Sequence, residues 1–89
     1  MEDPKRNEQA QQMIDYIVRE VMRRPSIQIG ENTALVSSGL IDSLALVNIL
    51  LKLEDITQMR IPAGKVQPKD MDTVELMFAT ARRLGKSRK

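Results

Sequence analysis

The sequence predicts an all-α protein of three main helices, with room for a short fourth, in one bundle with a long loop between the first two helices. Apolar residues recur at helical spacing or cluster in three stretches, and capping or breaking residues mark the ends of these stretches. The chain has 89 residues and no cysteine, so it is one small domain without a disulfide. Packed helices must therefore supply the core, and so small a core leaves little room for a large catalytic pocket.

The first helix is predicted over residues 7–24. Its apolar residues form a single stripe, which consists of Met13, Ile14, Ile17, Val18, Val21 and Met22. Pro25 ends this helix, because a proline cannot continue it. Residues 25–41 then form an unusually long connection, and the apolar residues scattered through it indicate that it packs across the ends of the bundle.

The second helix is predicted over residues 42–57, with Asp42 as the N-cap. It is apolar nearly all round, so we expect part of its surface to face outward and to mark a partner site. The residues expected in the core are Ile49, Leu50 and Leu53. Residues 58–71 are predicted to be irregular, since their prolines leave room for at most one helical turn between them.

The last helix is predicted over residues 72–85, capped by Asp72 or Thr73. With Asp72 as the N-cap, Glu75 takes the third helical position and completes an arrangement like a capping box. Gly85 is the expected C-terminal stop.

Charge is distributed unevenly around a net value of +2. Residues 26–75 carry seven acids against four bases, whereas residues 76–89 carry five bases and no acid. We expect a domain over residues 7–85, a flexible N-terminus over 1–6 and a basic flexible tail over 86–89. The tail is either an arm for anionic surfaces or a solubilising end.

Composition excludes several classes of function. The absence of histidine and cysteine excludes metal sites built on those residues, and catalytic triads that use imidazole. Aromatic residues make up only 2% of the chain, which disfavours a surface on which nucleic-acid bases stack. No stretch is long and apolar enough for a membrane span, and the acidic start is unlike a secretory signal. The sequence therefore predicts a cytoplasmic, monomeric binding or carrier module that is not an enzyme.

Residues 39–44, which read Gly-Leu-Ile-Asp-Ser-Leu, are the most informative segment. Ser43 follows the capping Asp42 where the most apolar helix begins, and free N–H groups there favour a phosphate on its hydroxyl. Because the chain has no histidine to act as a base, chemistry at Ser43 must be done to it by another enzyme. Ser37 and Ser38 could also be modified, but they lie in the loop without a helix terminus. Taken alone, the Asp-Ser pair is also compatible with a purely structural helix cap.

The segment resembles the phosphopantetheine attachment motif of the acyl, peptidyl and D-alanyl carrier proteins. As in that family, the outward face of the second helix is apolar, and it consists of Leu44, Val47 and Leu51. Ile61 and Pro62 follow that helix, and a D-x-x-T pattern from Asp70 to Thr73 opens the last one. The resemblance covers roughly residues 10–84.

The resemblance implies that Ser43 receives 4′-phosphopantetheine covalently from coenzyme A through a phosphopantetheinyl transferase, with Asp42 as part of the motif that the transferase reads. An acyl or aminoacyl group would then be carried as a thioester. It further implies an acyl- or aminoacyl-activating ligase and a downstream acyltransferase or synthase as partners, for which Leu44, Val47 and Leu51 form the docking face. The pathway would be lipid or secondary-metabolite biosynthesis.

The second helix departs from the fatty-acid carriers, in which it is strongly acidic. Here, beyond the capping Asp42, its only acids are Glu54 and Asp55, near its end. Charge complementarity sets encounter and partner choice, so we expect a dedicated carrier with its own adenylating ligase. Two alternatives are a cofactor-free interaction module that uses the apolar face of the second helix, and a small nucleic-acid-binding domain that uses the basic tail. The second alternative lacks a basic recognition helix.

Overall fold

The structure is a computed structural model that describes residues 4–24 and 26–87, with side chains from residue 8 onward. Its helices are α1 (Pro4–Tyr16), which continues into a π-helical turn (Ile17–Val21), α2 (Ala45–Thr57) and α3 (Val74–Leu84). Between α2 and α3 lie a first 3₁₀ turn (Ala63–Lys65) and a second 3₁₀ turn (Pro68–Met71). Two short strands, β1 (Met59–Arg60) and β2 (Lys86–Ser87), pair in an antiparallel manner. The predicted all-α class with three main helices is confirmed.

Helix α1 begins three residues earlier than the sequence predicted, at Pro4, a residue favoured at the first helical position. Its last turn widens into the π-helical turn, where the Met22 N–H donates to the Ile17 carbonyl at 2.8 Å. The chain then leaves the helix through Arg23, whose φ of 55° is left-handed. The predicted stop, Pro25, lies outside the described residues.

Helix α3 is capped by Thr73, and this settles which of the two predicted capping residues is used. The Thr73 hydroxyl oxygen accepts the Leu76 N–H at 3.0 Å. The predicted capping box between Asp72 and Glu75 is wrong, because the Asp72 carboxylate points to the long loop instead. The Glu75 N–H donates to the carbonyl of Glu31 in that same loop, at 2.9 Å. The start of α3 is thus both a helix end and an anchor for the loop.

The core lies where α1, α2 and α3 contact one another. The largest fully buried side chains are Met13, Ile17, Leu35, Ile49, Leu53, Met71, Met77 and Val74. Leu35 belongs to the long loop, as does the buried Ile41, so the loop packs on the bundle as its apolar residues predicted. Three methionines in this set suit the irregular space between short helices, because their side chains are flexible.

The end of α3 turns sharply at Gly85 into β2. The backbone of Gly85 is extended, with a φ of −70°, so glycine is not required here by a left-handed conformation. A Cβ at this position would collide with the Ala81 carbonyl oxygen and would lie 3.0 Å from the Met59 sulfur. Lys86 and Ser87, which the sequence analysis assigned to a flexible tail, pair with Arg60 and Met59. Arg88 and Lys89 lie outside the described residues.

Within the part of the chain that the structure describes, none of the helices combines the length and the apolar character needed to cross a bilayer.

Candidate functional site

Residues 39–44 form a short bend that delivers the chain to α2. Gly39 has a φ of 81°, a left-handed conformation that favours glycine, and its N–H donates to the Val36 carbonyl at 3.0 Å. Two residues later Ile41 is buried, and its N–H donates to the Leu35 carbonyl at 3.0 Å. The buried side chain and this hydrogen bond fix the position from which Asp42 and Ser43 project.

Asp42 caps the entry to α2, although the helix itself starts later than predicted. The Asp42 carboxylate accepts the Ala45 N–H at 2.9 Å. Two tighter turns of the 3₁₀ type precede the regular helix, since the Ala45 and Leu46 N–H groups also donate to the Asp42 and Ser43 carbonyls, three residues back, at 3.2 and 3.3 Å. Ser43 therefore lies in a tight turn just before Ala45, rather than within the first turn of the helix.

The Ser43 hydroxyl is free and accessible. Its residue is exposed, and among the described residues no side chain or backbone group bonds its oxygen. In the same part of the chain, no protein acceptor bonds the backbone N–H groups of Ser43 and Leu44. These two donors lie at the positive end of the α2 dipole, where a phosphate on the hydroxyl is stabilised.

The two serines of the preceding loop differ from Ser43, because their hydroxyl groups are already engaged. The Ser37 hydroxyl donates to the Asp72 carboxylate at 2.8 Å. The Ser38 hydroxyl donates to the Ala34 carbonyl at 2.6 Å. Modification of either would break a hydrogen bond that holds the loop, whereas modification of Ser43 would break none among the described residues.

An apolar groove opens directly beside Ser43. It has a volume of about 210 Å³ and runs between α2 and the two 3₁₀ turns. The residues that line it are Ser43, Leu46, Val47, Leu50, Ala63, Val66, Gln67, Pro68 and Met71. A flexible arm joined to the Ser43 oxygen has this apolar surface within immediate reach, so the local structure fits a phosphopantetheine group.

The apolar residues of α2 divide between two faces. Ile49, Leu50 and Leu53 are buried, as the sequence predicted for core positions. Leu44, which directly precedes α2, is 82% exposed, and Val47 and Leu51 are 63% and 58% exposed. Their spacing of three and four residues places them in one row that starts next to Ser43. Such a row on a small protein is unusual unless a partner covers it.

Asp72 holds the long loop in place, and sequence reasoning missed this role. One of its carboxylate oxygens accepts the N–H groups of Leu35, Val36 and Ser37 at 3.1, 2.8 and 2.9 Å. The Leu35 N–H also donates to the Asp72 backbone carbonyl at 2.7 Å. The D-M-D-T pattern of residues 70–73 was a weak signal for this role. It contains two acids and a threonine, but a helix needs only one capping residue, so the others were available for a different contact.

These hydrogen bonds lower the pKa of Asp72 below its ordinary value of 3.8. The Ser37 N–H contributes most, the Ser37 hydroxyl comes next, and the Val36 and Leu35 N–H groups add to the effect. Partial burial opposes them, since it disfavours the charged form. Asp72 is therefore a charged anchor for the loop that presents residues 39–44.

Asp70, the first residue of the D-x-x-T pattern, organises the second 3₁₀ turn. Its carboxylate accepts the Gln67 N–H at 2.9 Å and lies 3.5 Å from the Arg83 guanidinium. Its carbonyl accepts the buried Thr80 hydroxyl at 3.2 Å. These contacts hold the second 3₁₀ turn against α3. The same 3₁₀ turn forms one wall of the groove beside Ser43.

Comparison with known proteins gives one match, to a family of protein domains. Neither a search of curated proteins nor a search of solved structures returned a match. Residues 14–84 match the sequence model of the family described as "Phosphopantetheine attachment site". That range contains the bend of residues 39–44 and every residue that lines the groove beside Ser43. It also contains Asp70 and Asp72, which anchor the second 3₁₀ turn and the long loop. The chain belongs to the family of carrier proteins with a phosphopantetheine attachment site, whose members carry 4′-phosphopantetheine covalently.

Proposed function

We propose that Ser43 is the attachment residue and that the chain carries an acyl or aminoacyl group as a thioester on 4′-phosphopantetheine. The observation that carries the proposal is the exposed Ser43 hydroxyl beside an apolar groove and two backbone N–H groups, none of these three polar groups having a partner within residues 4–24 and 26–87. Ser37 and Ser38, the competing hydroxyl groups of the loop, are already hydrogen-bonded.

The attachment reaction is a phosphoryl-group transfer from coenzyme A. The Ser43 hydroxyl loses its proton to a base of the transferase, because no histidine is present in this chain to accept it. A bond forms between the Ser43 oxygen and the phosphorus next to pantetheine. The pyrophosphate bond of coenzyme A breaks, and adenosine 3′,5′-bisphosphate leaves. The unpaired N–H groups of Ser43 and Leu44 are placed to stabilise the phosphodiester that results.

When bound, the group supplies the terminal thiol that the cysteine-free chain lacks. The chain's own residues position and present the arm. Asp42 and Ile41 fix the bend, and Asp72 fixes the loop behind it. On this proposal the chain delivers its cargo to enzymes and is not itself a catalyst.

Leu44, Val47 and Leu51 form the proposed docking face for these enzymes. Their exposed row begins beside Ser43, so an enzyme that covers it also reaches the arm. The proposed partners are a phosphopantetheinyl transferase, an acyl- or aminoacyl-activating ligase and a downstream acyltransferase or synthase. A compact apolar row of this kind provides the buried centre of an interface, while its rim sets specificity.

The charge of α2 supports a dedicated carrier over one that serves general fatty-acid synthesis. Glu54 accepts the Ile61 N–H at 2.7 Å, so one of the two acids of α2 has a structural partner. Lys52 lies over the Tyr16 ring, 5.5 Å from its centre, and adds a positive charge to the middle of the helix. A partner that recognises this helix must therefore rely mainly on apolar contact, which suits a ligase specific to this carrier.

Intact-mass measurement after incubation with coenzyme A and a promiscuous transferase tests the attachment residue. We expect the chain to gain the mass of one phosphopantetheine and Ser43→Ala to gain none. Ser38→Ala is the matched control, since it removes a competing hydroxyl of the preceding loop. That variant loses the bond to the Ala34 carbonyl but keeps the loop's four hydrogen bonds to the Asp72 carboxylate, so it should still be loaded. A native chain that stays unmodified, while a known carrier is loaded under the same conditions, would favour the cofactor-free interaction module.

A further inference from the structure

The structure brings together basic residues that are far apart in the sequence. Arg60 and Lys65 follow α2, whereas Arg83 and Lys86 belong to α3 and β2. All four line one concavity of about 390 Å³, which we call the basic groove. Its remaining walls are Pro62 and Leu84. Part of the basic C-terminal stretch is therefore folded into a surface site.

The positive charge of the basic groove is only slightly neutralised. Arg83 lies 3.5 Å from the Asp70 carboxylate, and it is the one cation of the four with an acidic partner among the described residues. Arg60, Lys65 and Lys86 are exposed. The Glu54 carboxylate, which accepts the Ile61 N–H at 2.7 Å, does not line the groove. Three cations without an acidic partner in the described part of the chain therefore surround a concave surface, and they create a field that attracts anionic groups.

The groove combines this charge with apolar walls. Pro62 and Leu84 are half-buried, and most of the lining surface is apolar. Apolar contact area combined with polar, solvent-accessible residues is typical of protein-binding patches. The first 3₁₀ turn separates this groove from the groove beside Ser43, since Lys65 lines one and Ala63 lines the other.

We propose that the basic groove binds an acidic peptide segment of a partner protein, with one aliphatic side chain of that segment against Leu84 and Pro62. The cations fit carboxylates, and the apolar walls fit a side chain that neither a phosphate nor a sugar provides. A flat bilayer would meet the exposed cations but would leave the apolar walls of a concave site uncovered. Among the described residues, none that lines the groove is aromatic, so these residues offer no platform on which nucleic-acid bases stack.

This inference goes beyond the carrier function, because it does not require a modified Ser43. It assigns part of the basic C-terminal stretch to a second recognition site. That site is positively charged, whereas the row formed by Leu44, Val47 and Leu51 is apolar. An enzyme that uses both sites would contact the carrier on either side of the first 3₁₀ turn.

The probe is a fluorescent peptide with blocked ends and the sequence Asp-Glu-Leu-Asp-Glu, measured by fluorescence anisotropy at an ionic strength of about 50 mM. We expect saturable binding that weakens as salt is added. The double variant Arg60→Gln/Lys86→Gln should weaken it roughly tenfold. The matched variant Arg19→Gln/Arg24→Gln removes two exposed cations elsewhere and should change it less than about twofold. Replacing the leucine of the peptide by serine should also weaken binding.

A second measurement covers the case in which the double variant fails to fold. Amide chemical shifts of the native chain, titrated with the same peptide, should change at residues 60–65 and 83–87. Changes confined to other residues, equal losses in both double variants, or no saturable binding would overturn the proposal. Stronger binding to phosphatidylserine vesicles than to the peptide, with the same dependence on Arg60 and Lys86, would overturn it in favour of a membrane site.

Discussion

The carboxylate of Asp72 binds Ser37 twice, accepting its hydroxyl at 2.8 Å and its backbone N–H at 2.9 Å, although the two residues are 35 positions apart. The same carboxylate accepts two further N–H groups of the loop. One side chain at the start of α3 thus fixes the backbone that leads to the bend of residues 39–44. The position of the Ser43 hydroxyl therefore depends on a residue outside the attachment motif.

Removing the Asp72 carboxylate is expected to destabilise the protein. In Asp72→Ala, the N–H groups of Leu35, Val36 and Ser37 lose their acceptor, so the free energy of unfolding should fall at every pH. Asp72→Asn keeps an oxygen for these N–H groups but removes the charge, and it should therefore be less damaging. Urea unfolding at neutral pH compares the two. An alanine variant as stable as the native chain would show that the loop does not need this anchor.

The charge of Asp72 should also make stability depend on pH. Because its pKa in the folded state lies below the ordinary value of 3.8, the charged form stabilises the fold above that value. This contribution is lost as the pH falls through the lower, folded-state pKa. The free energy of unfolding, measured between about pH 2 and pH 7, should therefore fall less steeply toward low pH in Asp72→Asn than in the native chain. The control Asp55→Asn removes an exposed carboxylate of α2. If it weakened the pH dependence of stability as much as Asp72→Asn does, this prediction would be contradicted.

Two neighbouring leucines of α2 are expected to respond differently to truncation. Leu53 is fully buried, so Leu53→Ala should lower the free energy of unfolding by about 2–5 kcal/mol. Leu51 is 58% exposed, and Leu51→Ala should change that energy by no more than about 0.5 kcal/mol. In the transferase assay, however, Leu51→Ala should raise the KM for the carrier. A large loss of stability with an unchanged KM would show that Leu51 belongs to the core and not to the docking face.

Gly85 should tolerate no side chain, for a steric reason. A Cβ would collide with the Ala81 carbonyl oxygen and crowd the Met59 side chain, so Gly85→Ala should destabilise the protein by about 1–3 kcal/mol. The matched control is Gly64→Ala in the first 3₁₀ turn, where nothing lies within 4 Å of the new Cβ. That variant should be neutral or slightly stabilising. Thermal unfolding of both variants by circular dichroism compares them, and equal effects would rule out the proposed collision.

Local sequence patterns determined the helices and the candidate attachment residue. Apolar spacing, capping residues and breakers act over three or four positions, so residues within one helix suffice to predict it. Short-range patterns also predicted Asp42 and Ser43 together at the entry to α2, and they separated the buried Leu53 from the exposed Leu51. The family resemblance rests on these local patterns together with their order along residues 10–84.

Tertiary structure decided the contacts between distant segments. The sequence left Asp72 and Thr73 as equal candidates for the cap, because both have an oxygen that can accept the first N–H groups of α3. Only the packing of the long loop against α3 brings the N–H groups of residues 35–37 to Asp72 and leaves the cap to Thr73. Likewise, Arg60 and Lys86 become neighbours only when β1 and β2 pair. Charge and hydrogen-bonding capacity are properties of single residues, but the partner that satisfies them is set by the fold.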